Sequence, residues 1–233
     1  MGRQQALERF YALLGDLERR CGGLRRLGDC DGSMGWPDRG VYFFFEEGET
    51  RSDSDQLRVV RVGTHALRPS QTTLWSRLAQ HRGQRGGSMP GGGNHRGSIF
   101  RLHVGTALLA RGDWDEAIRR TWGVGSTAPA HVRRVEYPLE QAVSAHIGAM
   151  PFLWLAVDDP PGPTSDRGLI EAGAISLLSN AERSPVDPPS AGWLGRRADR
   201  EAVRRSGLWN VNHVHERAAT AFLDRMADHI AES

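Results

Sequence analysis

The chain is poor in cysteine and has no long apolar run. Only two of its 233 residues are cysteines, Cys21 and Cys30, and they lie in a polar, glycine-rich stretch without metal-binding spacing. This usage fits a reducing compartment and argues against a disulfide framework. No apolar run approaches the ~20 residues that span a bilayer, and the first residues are charged where a signal peptide would be apolar. We therefore expect a cytoplasmic protein that does not insert into membranes.

Acidic residues are absent between Gln56 and Gly112. This window contains nine arginines, four histidines and no lysine, whereas the whole chain has a net charge of only +2. The rest of the chain is therefore net acidic. Such an asymmetry indicates a polyanionic partner, such as a nucleic acid, on one face of the molecule. A solvated basic face in an arginine-rich chain is the alternative interpretation.

Length and apolar patterning predict one α+β domain with additional terminal helices. We expect an N-terminal helix and loop over 1–35, a central domain over 36–180 and a C-terminal helical extension over 181–233. Within the central domain, dense β-forming runs predict strands over 41–45, 57–63 and 152–157. The first two would form a hairpin, so the expected sheet is small, three-stranded and antiparallel, with flanking helices.

Helices are predicted where apolar residues recur at helical spacing next to capping residues. The predicted helices cover 4–20, 74–82, 98–110, 113–122, 138–149, 166–180, 199–205 and 214–230. The first of them is amphipathic, and we expect its apolar stripe to be a packing face.

Short motifs stand at the start of the first strand and at the end of the second. They read Gly-Val-Tyr over 40–42 and Arg-Val-Gly over 61–63. On the next helix, Arg77 and His81 are four residues apart and share one face. Glu171 lies on the helix that follows the third strand.

This order of motifs resembles the GIY-YIG nuclease superfamily. Residues 40–42 are close to Gly-Ile-Tyr, whereas residues 61–63 keep the last two positions of Tyr-Ile-Gly and place Arg61 where the family has tyrosine. The resemblance covers about Trp36 to Asn180. It implies an endonuclease that hydrolyses phosphodiester bonds with Mg²⁺ or Mn²⁺, with DNA favoured over RNA as the substrate.

The resemblance also implies a role for each matched residue. Tyr42 would be the general base or would orient the attacking water, and His81 would hydrogen-bond Tyr42 or relay its proton. Arg77 would clamp the scissile phosphate. Glu171 would be the single protein carboxylate on a hydrated Mg²⁺. Asn180 matches the family's asparagine-bearing segment and would support the site.

Four further residues are candidate substrate contacts. Arg61 could contact phosphate, and His65 could supply a proton relay in place of the missing tyrosine. His95 and Arg96 lie in a glycine-rich basic loop, and the backbone amides of such a loop can approach a phosphate.

Ordinary structural roles are the alternative for several of these residues. Tyr42 could be a packing residue, Glu171 could stabilise its helix N-terminus, and Asn180 could simply end a helix. His213 and His215 alternate as metal ligands might on a strand, but two histidines without further ligands are usually structural, so we assign no metal there. The alternatives for the function are a catalytically silent nucleic-acid-binding module and an unrelated small-molecule enzyme.

Overall fold

One antiparallel sheet of four strands organises the chain in the computed structural model, which describes residues 1–217 and 219–232. The strand order in the sheet is β1-β4-β2-β3. The strands are β1 (Arg25–Arg26), β2 (Gly40–Thr50), β3 (Leu57–Gly63) and β4 (Pro151–Ala156). The predicted α+β class and the hairpin of β2 and β3 are confirmed. The predicted count of three strands is wrong, since the sheet also contains β1. This strand has only two residues and is too short to show an alternating pattern in the sequence.

Eight α-helices surround the sheet in the described residues. They are α1 (Arg3–Cys21), α2 (Leu74–Arg82), α3 (Ile99–Arg111), α4 (Glu116–Thr121), α5 (Ala130–Ala149), α6 (Asp166–Leu178), α7 (Glu201–Ser206) and α8 (Phe222–Glu232). Three predicted starts are wrong. Helix α4 begins at Glu116 and is capped by Asp115 instead of Asp113. Helix α5 begins eight residues before Pro138, which lies inside it, and α8 begins at Phe222 instead of Val214. No helix of the described chain is long and apolar enough to cross a membrane.

The sheet separates two apolar cores, and the alternation along β2 shows this directly. Val41, Phe43 and Phe45 point into one core, which α1, α6 and α8 cover. Tyr42 and Phe44 point into the other core, which α2, α3 and α5 cover. Both terminal helices are therefore part of the packing around the sheet. The expected boundaries at residues 35 and 180 do not separate independent cores.

The arginines of the acid-free window do not form one exposed face. Three of the nine arginines are buried in ion pairs with glutamates from outside the window, which the local charge pattern does not reveal. These pairs are Arg58 with Glu49, Arg96 with Glu136, and Arg101 with Glu140. Arg61 is also buried. The expectation of a continuous basic surface is therefore replaced by a partly internal ionic network and fewer exposed arginines.

The glycine of the second motif makes room for the tyrosine of the first. Tyr42 and Gly63 are direct partners in the ladder between β2 and β3. A Cβ atom added at Gly63 would lie 2.3 Å from the Tyr42 hydroxyl and 2.4 Å from its Cζ. The tyrosine ring therefore crosses bare backbone, and only glycine permits this position.

Replacing Gly63 with alanine should force the Tyr42 ring out of its buried position. We expect Gly63→Ala to lose about 1–3 kcal/mol of stability, which is typical of overpacking, and to melt several degrees lower. Gly97→Ala is the matched control, because an added Cβ at Gly97 meets nothing within 4 Å. Equal melting temperatures for the two variants in calorimetry would contradict the proposed close approach.

Candidate active site

A buried chain of hydrogen bonds starts at Tyr42. Its hydroxyl lies 2.8 Å from Nε2 of His81, and Nδ1 of His81 lies 2.8 Å from the Ser98 hydroxyl. Burial holds the pKa of His81 well below 6.5, and the nearby cations Arg77, Arg61 and Arg101 act in the same direction. The imidazole is therefore neutral. A neutral ring has one nitrogen that donates and one that accepts, so it can exchange a proton with the tyrosine.

Four residues matched to the family line one cavity of about 150 Å³. Tyr42 comes from β2, Arg61 from β3, Arg77 from α2 and Glu171 from α6. Tyr42 has no exposed surface. The cavity is well above the ~10–15 Å³ that one water requires. The fold therefore brings a hydroxyl, two guanidinium groups and a carboxylate around a space that can hold a small anion and water.

Arg61 is a buried cation that forms no ion pair among the described residues. Its guanidinium lies 4.6 Å from the centre of the Phe100 ring, and Nη1 donates to the Trp209 carbonyl oxygen at 2.9 Å. Its Nε is buried and has no hydrogen-bond partner in the described chain. Burial lowers the pKa of Arg61, while the neighbouring Tyr42 and Glu171 oppose this. An unpaired buried guanidinium is costly, and a bound anion would relieve that cost.

Arg77 and Glu171 form the wall of the cavity nearer to solvent. Nη1 of Arg77 donates to Gln80 Oε1 at 3.0 Å and to the Gly97 carbonyl oxygen at 3.3 Å. The backbone N–H of Thr64 donates to Glu171 Oε1 at 3.2 Å. Burial raises the pKa of Glu171, and the charges of Arg61 and other nearby groups oppose that rise.

Glu171 can serve as a metal ligand only with help from water or substrate. Among the described residues, no group of three or more histidine, cysteine or acidic side chains is arranged to hold a metal ion. One oxygen of Glu171 accepts the Thr64 bond, and the other accepts none from the described residues. Mg²⁺ keeps several waters and binds proteins through one or two carboxylates plus phosphate. The donor set therefore fits a hydrated Mg²⁺ or Mn²⁺ and does not fit a closed structural site.

His65 lies beside this site, in an adjoining cavity of about 360 Å³ that shares Arg77 and Glu171. Its Nε2 lies 3.1 Å from the Asp38 carbonyl oxygen and must therefore donate to it. Its Nδ1 is buried and has no hydrogen-bond partner in the described part of the chain. Burial lowers the pKa of His65 to about 4, so the ring is neutral and Nδ1 is a free acceptor.

His95 and Arg96 do not line the cavity that contains Tyr42. His95 stacks on Trp122 with ring centres 3.8 Å apart, and its two nitrogens bond Glu140 Oε1 at 2.9 Å and the Gly123 N–H at 3.1 Å. Arg96 forms a two-fold hydrogen bond to Glu136, at 2.7 and 2.8 Å. These bonds hold both side chains within the protein, away from the cavity.

Asn180 also lies away from the cavity. Its side-chain oxygen accepts hydrogen bonds from the Val186 N–H at 2.9 Å and from Arg3 Nη2 at 3.2 Å. Its backbone N–H donates to the Ser206 carbonyl oxygen at 3.0 Å. Asn180 therefore connects α1 with the segments that follow α6, and any effect it has on the site is indirect.

The C-terminal segment Trp209 to His213 supplies cavity residues that lie outside the family motifs. The Trp209 N–H donates to the Val60 carbonyl oxygen at 2.7 Å, and the Asn210 side chain bonds both the N–H and the carbonyl of Val62, at 3.1 and 2.8 Å. These bonds pair the segment with the outer edge of β3. Asn210 to His213 consequently form part of the cavity wall. Only long-range pairing brings them there, so no local spacing could predict it.

The comparison with protein families agrees with this geometry. The model of the GIY-YIG domain matches residues 1–233, which is the whole chain. The chain therefore belongs to the GIY-YIG domain family, and the family supports a nuclease-type function on nucleic acid. No curated protein and no solved structure matches the chain.

Three buried histidines should make folding sensitive to acid. Burial lowers the pKa of His65 and His103 to about 4 and lowers that of His81 below its usual value. Between pH 6.5 and 4 the unfolded chain therefore binds more protons than the native chain. The stability present above pH 6.5 is lost progressively as the pH falls through this range.

His103 is the cleanest test, because neither of its ring nitrogens has a hydrogen-bond partner in the described chain and it does not line the cavity. Denaturant unfolding of His103→Leu should show a loss between pH 6.5 and pH 5 that is smaller than in wild type, by on the order of 1–2 kcal/mol. His131→Leu, at an exposed position in α5, is the control. If all three proteins share one pH dependence, burial of His103 does not produce the effect.

Proposed function

We propose that this protein is a metal-dependent endonuclease that hydrolyses phosphodiester bonds, with DNA as its favoured substrate. The observation that carries the proposal is the unpaired, buried guanidinium of Arg61 next to the hydrogen-bonded pair of Tyr42 and His81. Glu171 lines the same cavity but forms no ion pair with Arg61 in the described structure, so a phosphate there would give Arg61 a directly bonded anion. Arg77 and Glu171 complete the set of groups that such a reaction needs.

Tyr42 is the proposed general base for the attacking water. A tyrosine hydroxyl is a poor base unless its own proton can leave, and Nε2 of His81 lies 2.8 Å away to accept it. Such proton transfer is typically worth ~10²–10⁴-fold in rate. Ser98 would orient the His81 ring through its bond to Nδ1.

The two arginines would stabilise the charge that develops on the phosphate oxygens. Arg77 approaches the cavity from α2, and its planar guanidinium presents several donors in a fixed geometry. Arg61 approaches from β3 and is desolvated, which strengthens its interaction with an anion. Because both groups are in place before the substrate arrives, little reorganisation is needed in the transition state.

Glu171 is the proposed ligand for a hydrated Mg²⁺ or Mn²⁺, with water and phosphate oxygens as the other ligands. When bound, the metal would supply positive charge at the leaving oxygen. The Thr64 N–H bond to Glu171 Oε1 holds the carboxylate in place and leaves its other oxygen for this role.

A catalytically silent nucleic-acid-binding module is the second candidate. Two observations favour it: Tyr42 has no exposed surface, and Arg61 occupies the position where the family has its second tyrosine. Such a cavity could hold a phosphate without hydrolysing it. The two candidates differ in one measurable respect, because only the nuclease needs a divalent metal to change its substrate.

The test is to incubate the protein with single-stranded, duplex and branched DNA and with RNA, in Mg²⁺, in Mn²⁺ and in chelator. We expect metal-dependent cleavage, and Glu171→Gln should abolish it while leaving affinity in chelator nearly unchanged, since the change removes a metal ligand and little else. Glu201→Gln, at an exposed site on α7, is the control. Wild-type cleavage by Glu171→Gln would contradict the metal site, and binding without any cleavage would favour the silent module.

Tyr42→Phe and Arg77→Lys test the proposed chemistry. Tyr42→Phe keeps the ring and removes the hydroxyl, so it should cost about 0.5–1.5 kcal/mol of stability and lower single-turnover cleavage ~10²-fold or more. Arg77→Lys keeps the charge but loses the planar fork, and we expect a similar loss of rate. Arg111→Lys, on an exposed part of α3, is the control. Unchanged rates in both variants would return Tyr42 to a packing role.

A further inference from the structure

The segment paired with β3 places a histidine at the cavity. His213 lines it together with Tyr42, Arg77 and Glu171. Glu171 and His213 therefore line the same space. They are not within ion-pair distance of each other in the described structure, whereas His213 does pair with an acid of its own segment.

That acid is Glu216, and it fixes the histidine ring. Nδ1 of His213 lies 2.7 Å from Glu216 Oε1. A carboxylate only accepts, so Nδ1 carries the proton of this bond. Nε2 has no hydrogen-bond partner in the described chain and is the nitrogen available to a ligand. The side chain is 35% exposed, so it can exchange protons with solvent.

The backbone of His213 is held in an unusual conformation. Its φ angle is +62°, in the left-handed region that residues other than glycine seldom adopt. The Asn210 bonds to Val62 anchor the chain just before it. Residues in this conformation cluster at functional sites, where the surrounding structure imposes them.

The other two histidines near the cavity cannot donate a proton to a substrate. Nε2–H of His65 is committed to the Asp38 carbonyl, and its Nδ1 is a bare acceptor. His81 is fully buried, and both of its nitrogens are bonded to Tyr42 and Ser98. His213 differs from both, because its side chain is partly exposed and only its Nδ1 is bonded, to Glu216, in the described chain.

We propose that His213, oriented by Glu216, is a further catalytic residue that protonates the leaving oxygen. This inference rests on the proposed function. Water attacks phosphorus and gives its proton to the Tyr42 and His81 pair, the bond between phosphorus and the leaving oxygen breaks, and Nε2–H of the His213 imidazolium transfers its proton to that oxygen. The products are an alcohol and a phosphate monoester end, and proton exchange with solvent restores both groups. Glu216 is a positioning residue for this step.

A sulfur-substituted substrate tests the step. The cleaved linkage is first mapped with wild-type protein, and a duplex is then made with sulfur in place of the leaving oxygen at that linkage. A thiolate leaves without needing a proton. In Mn²⁺, which tolerates sulfur, His213→Asn should slow cleavage of the ordinary linkage ~10²-fold or more and that of the sulfur linkage by less than about tenfold. Asparagine suits this variant because it tolerates the left-handed backbone.

Matched controls separate this role from a structural one. His215 lies two residues away and pairs with Glu182 at 3.2 Å, but it does not line the cavity. His215→Asn and Glu182→Gln should cleave both linkages at wild-type rates. Glu216→Gln should repeat the selective effect of His213→Asn in weaker form. Melting temperature and DNA affinity in chelator, measured for every variant, show that each one is folded and binds.

Each possible outcome either supports or overturns the proton-donor role of His213. Selective slowing of the ordinary linkage by His213→Asn and Glu216→Gln supports the proton-donor role. Equal slowing of both linkages, or a wild-type rate on the ordinary linkage, overturns it while leaving the proposed nuclease function intact. A wild-type protein that cleaves neither linkage overturns the proposed function and the inference with it.

Discussion

The close contact between the Tyr42 ring and the bare backbone of Gly63 is the constraint on which the site depends. The ladder between β2 and β3 sets these two residues opposite each other. With no side chain at Gly63, the tyrosine lies flat across the neighbouring strand and its hydroxyl reaches His81 on α2. A shift of one residue in this register would turn Tyr42 toward the other core. The pairing of β2 with β3 therefore determines where the Tyr42 hydroxyl lies in the site.

The position of helix α2 depends on the bond between Tyr42 and His81, on its N-terminal cap and on its buried face. Thr73 caps it through a bond to the Ser76 N–H, and Leu74 and Leu78 bury its inner face against the sheet. His81 lies on that buried face, while Arg77 lies at its edge and reaches the cavity. The spacing of four residues therefore places His81 inside the core and Arg77 at the boundary with solvent.

Local patterns could predict the elements that carry the family motifs. Dense β-forming runs located β2 and β3, and a cap followed by apolar spacing located α2. The remaining features depend on contacts between distant segments. Strand β1 forms only because it pairs with Phe152 and Pro151, and Pro138, which is typical of a helix start, instead lies inside α5. His213 reaches the cavity through bonds to β3, about 150 residues earlier in the chain.

The fate of the arginines in the acid-free window also depends on contacts between distant segments, which local patterns do not predict. One of these arginines points to function. Arg58 lies close to Arg61 in sequence and pairs with a buried glutamate, as Arg96 and Arg101 also do. In each of these pairs a buried glutamate neutralises the charge of a buried arginine. At Arg61 the described structure provides a carbonyl and an aromatic ring but no ion-pair partner. A cation left unpaired at a cavity, in a fold that pairs its neighbours, is most simply explained by an anionic ligand that completes the pair.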